Sequence, residues 1–158
     1  MGANPNITDG GITEAKASKR SETKSTKIGR EVAEQEFQRF VDLMNLDVEE
    51  SYLNDEDKAG LATNRHRFIR AVEAGSLVVD ESGIPIFTPQ KSDHCDPITF
   101  YEPTGASLMS MDRKKEGADV GKMFTIMADF TKTDQGRFAG LKIADLNVCM
   151  AISMLYLG

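Results

Sequence analysis

Apolar residues are nearly absent from the first thirty positions of the chain, and from Val32 onward they return with helical spacing. Val32, Ala33, Phe37, Phe40, Val41 and Met44 recur at three- and four-residue steps, which places them on one face of a helix that needs covering. An acidic stretch from Asp47 to Asp57 follows, in which Asn54-Asp55 can cap a second helix through side-chain oxygens. That helix directs Leu61, Ala62, Phe68, Ile69 and Val72 inward and stops where Gly75 can adopt a left-handed conformation. The pattern then turns to strands. Leu77-Val78-Val79 and Ile84-Pro85-Ile86-Phe87 flank Asp80-Glu81-Ser82-Gly83, a hairpin signal because glycine accepts the positive φ of such turns. Pro85 has no N–H for a ladder, so its strand is expected at a sheet edge, or with that position turned outward. A third strand is expected over 97–101, after a polar loop over 90–96.

Beyond Glu102-Pro103-Thr104-Gly105 the spacing is helical to the end. Leu108, Met109 and Met111 mark a short helix that Gly117 can close, and Asp119 can cap the next. Val120, Met123, Phe124, Ile126, Met127 and Phe130 form a clear stripe, with Lys122, Thr125 and Asp129 on the opposite side. A loop over 131–136 leads to a last helix in which Leu141, Val148, Cys149, Ile152 and Leu155 interleave with Ala144, Leu146, Met150 and Ala151. So apolar a circumference implies burial on most sides, within the monomer or against another copy. The expected fold class is α+β: a disordered polar tail over 1–29, then one domain over 30–158. That domain comprises a helical pair (30–75), a small antiparallel sheet of a hairpin plus a third strand (76–101), and a C-terminal helical bundle (103–157).

Composition bounds what such a domain can do. At 158 residues the chain has room for one ordinary core. Its formal net charge of -6 opposes general nucleic-acid affinity, which needs an excess of Lys and Arg. The charge is uneven, because Lys16, Lys19, Arg20, Lys24, Lys27 and Arg30 outnumber Asp9, Glu14 and Glu22 in the front segment. Cys95 lies in a polar loop and Cys149 in an apolar run, so no bridge between them is expected and a reducing compartment is. No stretch approaches the ~20 apolar residues of a membrane span, and the front segment lacks the apolar centre of a signal peptide.

Little in the chain points to reaction chemistry. His66 lies among cations in Asn64-Arg65-His66-Arg67, and His94-Cys95 has no second ligand pair at zinc spacing. Neither a GxGxxG nor a GxxxxGK[ST] string occurs. The run Asp47, Glu49, Glu50, Asp55, Glu56, Asp57 reads as a solvated face. Glu102 and Asp145 have apolar flanks and suit capping or hydrogen-bonding roles better than acid–base catalysis. No enzyme activity, metal or cofactor is expected. The methionines of the C-terminal half can fill core gaps or adapt to a partner surface. On the second reading the partner-binding candidates are Met123, Phe124, Met127, Phe130, Met150 and Met154.

From about Gly83 onward the chain resembles the tail assembly chaperones of long-tailed bacteriophages. The resemblance rests on the strand Ile84 to Phe87, then Ile98-Thr99-Phe100-Tyr101-Glu102-Pro103-Thr104-Gly105-Ala106, a Leu108/Met111-Asp112 helix, a helix through Ile126 and Ala128, and a closing segment with Leu141, Asp145 and Leu146. Tyr101 stands where that family usually has Arg, and Ser107 where it usually has Asp. The resemblance implies a non-enzymatic assembly factor in the host cytoplasm that binds the tape-measure protein, keeps its long helices soluble and helps recruit tail-tube subunits; charge and composition add the expectation of no membrane partner and disfavour a nucleic-acid one. It also implies a longer frameshifted product of the same gene. The basic tail and the front helices fit a second expectation, a structural virion protein such as a connector, capsid or tail accessory subunit. Self-association is compatible with either.

Overall fold

A computed structural model describes residues 27–112 and 119–158. The tail expected over 1–29 lies outside the described residues except at its end. There the Ile28 N–H donates to the Glu73 carbonyl at 2.9 Å, and the Ile28 side chain packs on the core.

Helix α1 (Arg30–Leu43) buries Ala33, Phe37, Phe40 and Val41, as its spacing requires, while Val32 is half exposed. A single 3₁₀ turn, Glu50–Tyr52, precedes α2 (Asp55–Glu73). The Asn54 carboxamide caps α2 by accepting the Asp57 N–H at 2.8 Å, and the chain leaves the helix through Gly75 at φ 77°. Phe40 and Phe68 stack with centroids 4.8 Å apart, and Phe37 meets Phe68 edge-on at 5.3 Å, which fastens α1 to α2. Ala62, expected inside, is exposed.

The sheet is antiparallel in the order β1 (Leu77–Val79), β2 (Pro85–Phe87), β3 (Ile98–Thr99). In the turn, the Asp80 carboxylate accepts the N–H groups of Ser82 and Ile84, each at 2.9 Å, and Gly83 sits at φ 89°. The expectation for Pro85 is corrected: β2 is the central strand, not an edge, and Pro85 is buried. Two features make this tolerable. Pro85 opens the strand opposite Val79, and one step beyond the β2–β3 register it faces Phe100, whose N–H donates to the Pro85 carbonyl at 2.9 Å. The reciprocal bond to the Phe100 carbonyl is the one a proline cannot make. The Tyr156 hydroxyl makes it instead, at 2.8 Å, from the last helix.

The C-terminal half consists of α3 (Gly105–Asp112), α4 (Asp119–Thr131), α5 (Gln135–Ala139) and α6 (Ile143–Leu157). Met111 as a side chain and Gly117 as a helix stop lie outside the described residues. The short helix α5 occupies part of the expected loop and the start of the expected last helix; Asp134 caps it and it buries Phe138. On α4 the stripe is inward from Ile126 to Phe130, but Val120 is 70% exposed and Thr125, expected outside, is buried. Thr125 can be buried because its hydroxyl donates to the Gly121 carbonyl at 2.9 Å and accepts from Gln135 Nε2 at 3.1 Å. Helix α6 packs antiparallel on α2 and also touches α4. It buries Cys149, Ala151, Ile152, Ser153 and Leu155 within this one chain, and Tyr156 joins Phe40 to Phe130 by edge-on contacts at 5.5 and 5.6 Å. The result is the expected mixed α+β class, mostly helical, with one small antiparallel sheet.

Candidate functional site

The six side chains that the sequence offers as partner contacts do not share a surface. Met127 and Phe130 are fully buried, so the monomer's own core uses them and they cannot meet a partner while the fold is intact. Met123, Phe124 and Met150 are half-buried and pack against that core. Met154 alone is exposed, at 43%. Helical spacing identifies the apolar face correctly, but it cannot say whether the covering element is a partner or the same chain.

Asp145 lies at the start of α6, 3% exposed. Its Oδ1 accepts the Gln90 N–H at 2.9 Å, and its Oδ2 accepts the Lys91 N–H at 2.9 Å, the Ser92 N–H at 2.8 Å and the Ser92 hydroxyl at 2.6 Å. The Ser92 oxygen in turn accepts the Lys142 N–H at 2.9 Å, just before α6 begins. Successive backbone N–H groups around one anion form a nest, and here the anion is the protein's own side chain. Burial pushes the carboxyl upward, but the Ser92 hydroxyl and the three N–H donors outweigh it and hold Asp145 below the usual carboxylate range. These bonds tie the 90–92 loop to α6. The Asp145 oxygens are therefore occupied by the fold in a hydrogen-bonding role, and they cap no helix.

The remaining titratable candidates are scattered. His66 is exposed on α2, His94 and Cys95 are exposed in the loop after β2, and Glu102 is exposed after β3. The Cys95 thiol donates to the Ser92 carbonyl at 3.2 Å, so it caps its own loop. Both cysteines are free thiols, and burial pushes the Cys149 thiol well up. Among the described residues no three His, Cys, Asp or Glu side chains gather as metal ligands. None of the described helices is long and apolar enough to cross a membrane.

What the fold does assemble are two grooves along the seam between α2 and α6. At one end Asp47, Glu49 and Asp57 rim a cavity of about 420 Å³ floored by Leu61, Leu155 and Leu157. At the other, His66, Arg67, Arg70 and Lys91 surround about 490 Å³ floored by Ala71, Ala74 and Val148. A third cavity of about 450 Å³, between α1 and α2, is bordered by Arg65, whose guanidinium lies 5.5 Å from the Phe37 ring centre. Sequence reading treats the acidic run and the cations around His66 as separate solvated features. Their alignment along one helix pair depends on how α6 lies against α2, which no local pattern contains.

One contact outside these grooves also escapes local reading. Arg39, on α1, donates to the carbonyls of Val79 and Asp80 at 2.6 and 2.8 Å while pairing with Glu36 at 2.7 Å. It fixes the first helix to the end of the hairpin's first strand. No protein-family profile, curated protein or solved structure matches the chain.

Proposed function

We propose that this protein is a tail assembly chaperone of a long-tailed bacteriophage: a non-enzymatic factor of the host cytoplasm that binds the tape-measure protein and assists assembly of the tail tube around it. The carrying observation is the phrase Ile98 to Ala106 followed by its helices, in the order that the family resemblance sets out. In the fold this phrase runs from β3 through an extended linker into α3, and α3 packs on α4. Leu108 and Met109 on α3 and Val120 at the start of α4 are exposed, so this half presents apolar side chains that its own core does not use. A holdase needs such surface, because shielding an apolar helix requires contacts that replace its exposure to water. It also needs solubility, which a net charge of -6 supports.

Co-expression with the tape-measure protein of the same phage is the test. The expected result is a soluble complex that persists through gel filtration at micromolar concentration. Replacing Leu108 and Met109 by Ser should weaken it at least ~10-fold, the loss of two exposed apolar contacts at an interface. A tape-measure protein that stays insoluble, or elutes apart from this chain, contradicts the reading.

A further inference from the structure

We propose that the chain associates with itself head to tail: the acidic turn Glu49-Glu50-Ser51-Tyr52 of one copy docks in the basic groove between α2, α6 and the 90–92 loop of the next. This inference does not depend on the chaperone reading, since it concerns only the chain's own two surfaces.

The groove side is cationic in an acidic protein. Arg67, Arg70 and Lys91 line it, with His66 at its border. The nearby carboxylate of Asp145 is committed to the loop N–H groups, and among the described residues the ion pair made by these cations is a long one, Arg70 to Glu73 at 3.9 Å. The groove thus has positive charge to spare beside an apolar floor. An anionic occupant with an apolar component fits it.

The other end of the same helix pair supplies that chemistry. Tyr52 is 84% exposed, the most exposed large apolar side chain among the described residues, and it is separated from Glu49-Glu50 by Ser51 alone. The Ser51 hydroxyl donates to Glu49 at 2.6 Å, and the 3₁₀ turn Glu50–Tyr52, with Glu49 as its N-cap, holds these exposed residues close together. An aromatic ring entering a groove lined by guanidinium groups gains cation–π attraction, while flanking carboxylates meet Arg and Lys. Because α2 and α6 are antiparallel, knob and groove lie at opposite ends of their seam. The same contact can then repeat from copy to copy, and a heterologous contact of this kind generates rings or open filaments rather than a closed two-fold dimer. The charge gradient along α2 also complements the helix dipole, but that accounts for neither the exposed tyrosine nor the apolar floor of the groove.

Sedimentation velocity on the full chain, from micromolar to hundreds of micromolar, tests the proposal at low and high salt. Association should increase with concentration and fall steeply as salt screens the contact. R70E/K91E and E49K/E50K should each remain folded by circular dichroism, because all four side chains are exposed, and each should lose association at least ~10-fold through like-charge opposition. Mixed together, the two variants should associate again, because each knob then meets a groove of opposite charge. Y52A should weaken the wild-type contact without changing its salt dependence. A chain that is monomeric throughout the range overturns the proposal, as does association indifferent to the reversals or one that mixing fails to restore.

Discussion

Single side chains carry much of the order in this small domain, and Asp145 is the clearest case. Four hydrogen bonds converge on its carboxylate, three of them from backbone N–H groups. Asp145→Ala should destabilise the protein by about 2–4 kcal/mol, since it leaves the buried donors of Ser92 without their partner as well as removing charge-assisted bonds. Chemical denaturation followed by circular dichroism measures this. The carboxyl is held below its ordinary value in the folded state, so its contribution is fully present above the unfolded pKa of about 3.9 and is lost as pH falls below it. In Asp145→Asn, stability should consequently depend less on pH below about 4 than in the wild type. Tyr156 is a second such residue, its hydroxyl standing in for the N–H that Pro85 lacks. Burial pushes that phenol well up, so it remains a donor across the whole neutral and mildly alkaline range. Tyr156→Phe should cost about 1–2 kcal/mol, and less in a Pro85→Ala background, where a backbone N–H can reach the Phe100 carbonyl.

At the scale of elements, the hairpin is held from outside by α1. The Asp80–Gly83 turn packs so closely on the end of that helix that a Cβ at Gly83 would lie 2.6 Å from the Leu43 Cβ, and its φ is 89°. Gly83→Ala should therefore destabilise by about 2 kcal/mol or more, combining left-handed strain with overpacking, and thermal melts would register it. The glycine is recognisable in the sequence as a turn residue, whereas its second duty beside Leu43 is not. The same division runs through the fold. Periodicity locates α1, α2, the hairpin and the apolar stripe of α4, because each of those signals is local. It misplaces Pro85, because the hydroxyl that satisfies the sheet is 71 residues from it along the chain, at Tyr156. Thr125 escapes it for a similar reason, its burial depending on Gln135 in a helix that looked like a loop. The candidate site divides in the same way: the methionines are visible as a group, but only packing decides that Met127 is core and Met154 is surface.

For the whole molecule, the described surface separates into an acidic and a basic end of the α2–α6 seam and an apolar region on α3 and early α4. The buried Asp145 carboxylate is taken up by its own loop, and the exposed His66 and His94 lie on separate elements. An assembly factor that holds a helical client should act before the particle is complete and then leave it. Quantitative mass spectrometry on an infected-cell lysate and on particles purified from it decides this most directly. The chain should be abundant in the lysate and absent from finished particles, and stoichiometric recovery from the particles would contradict a chaperone and favour a structural subunit.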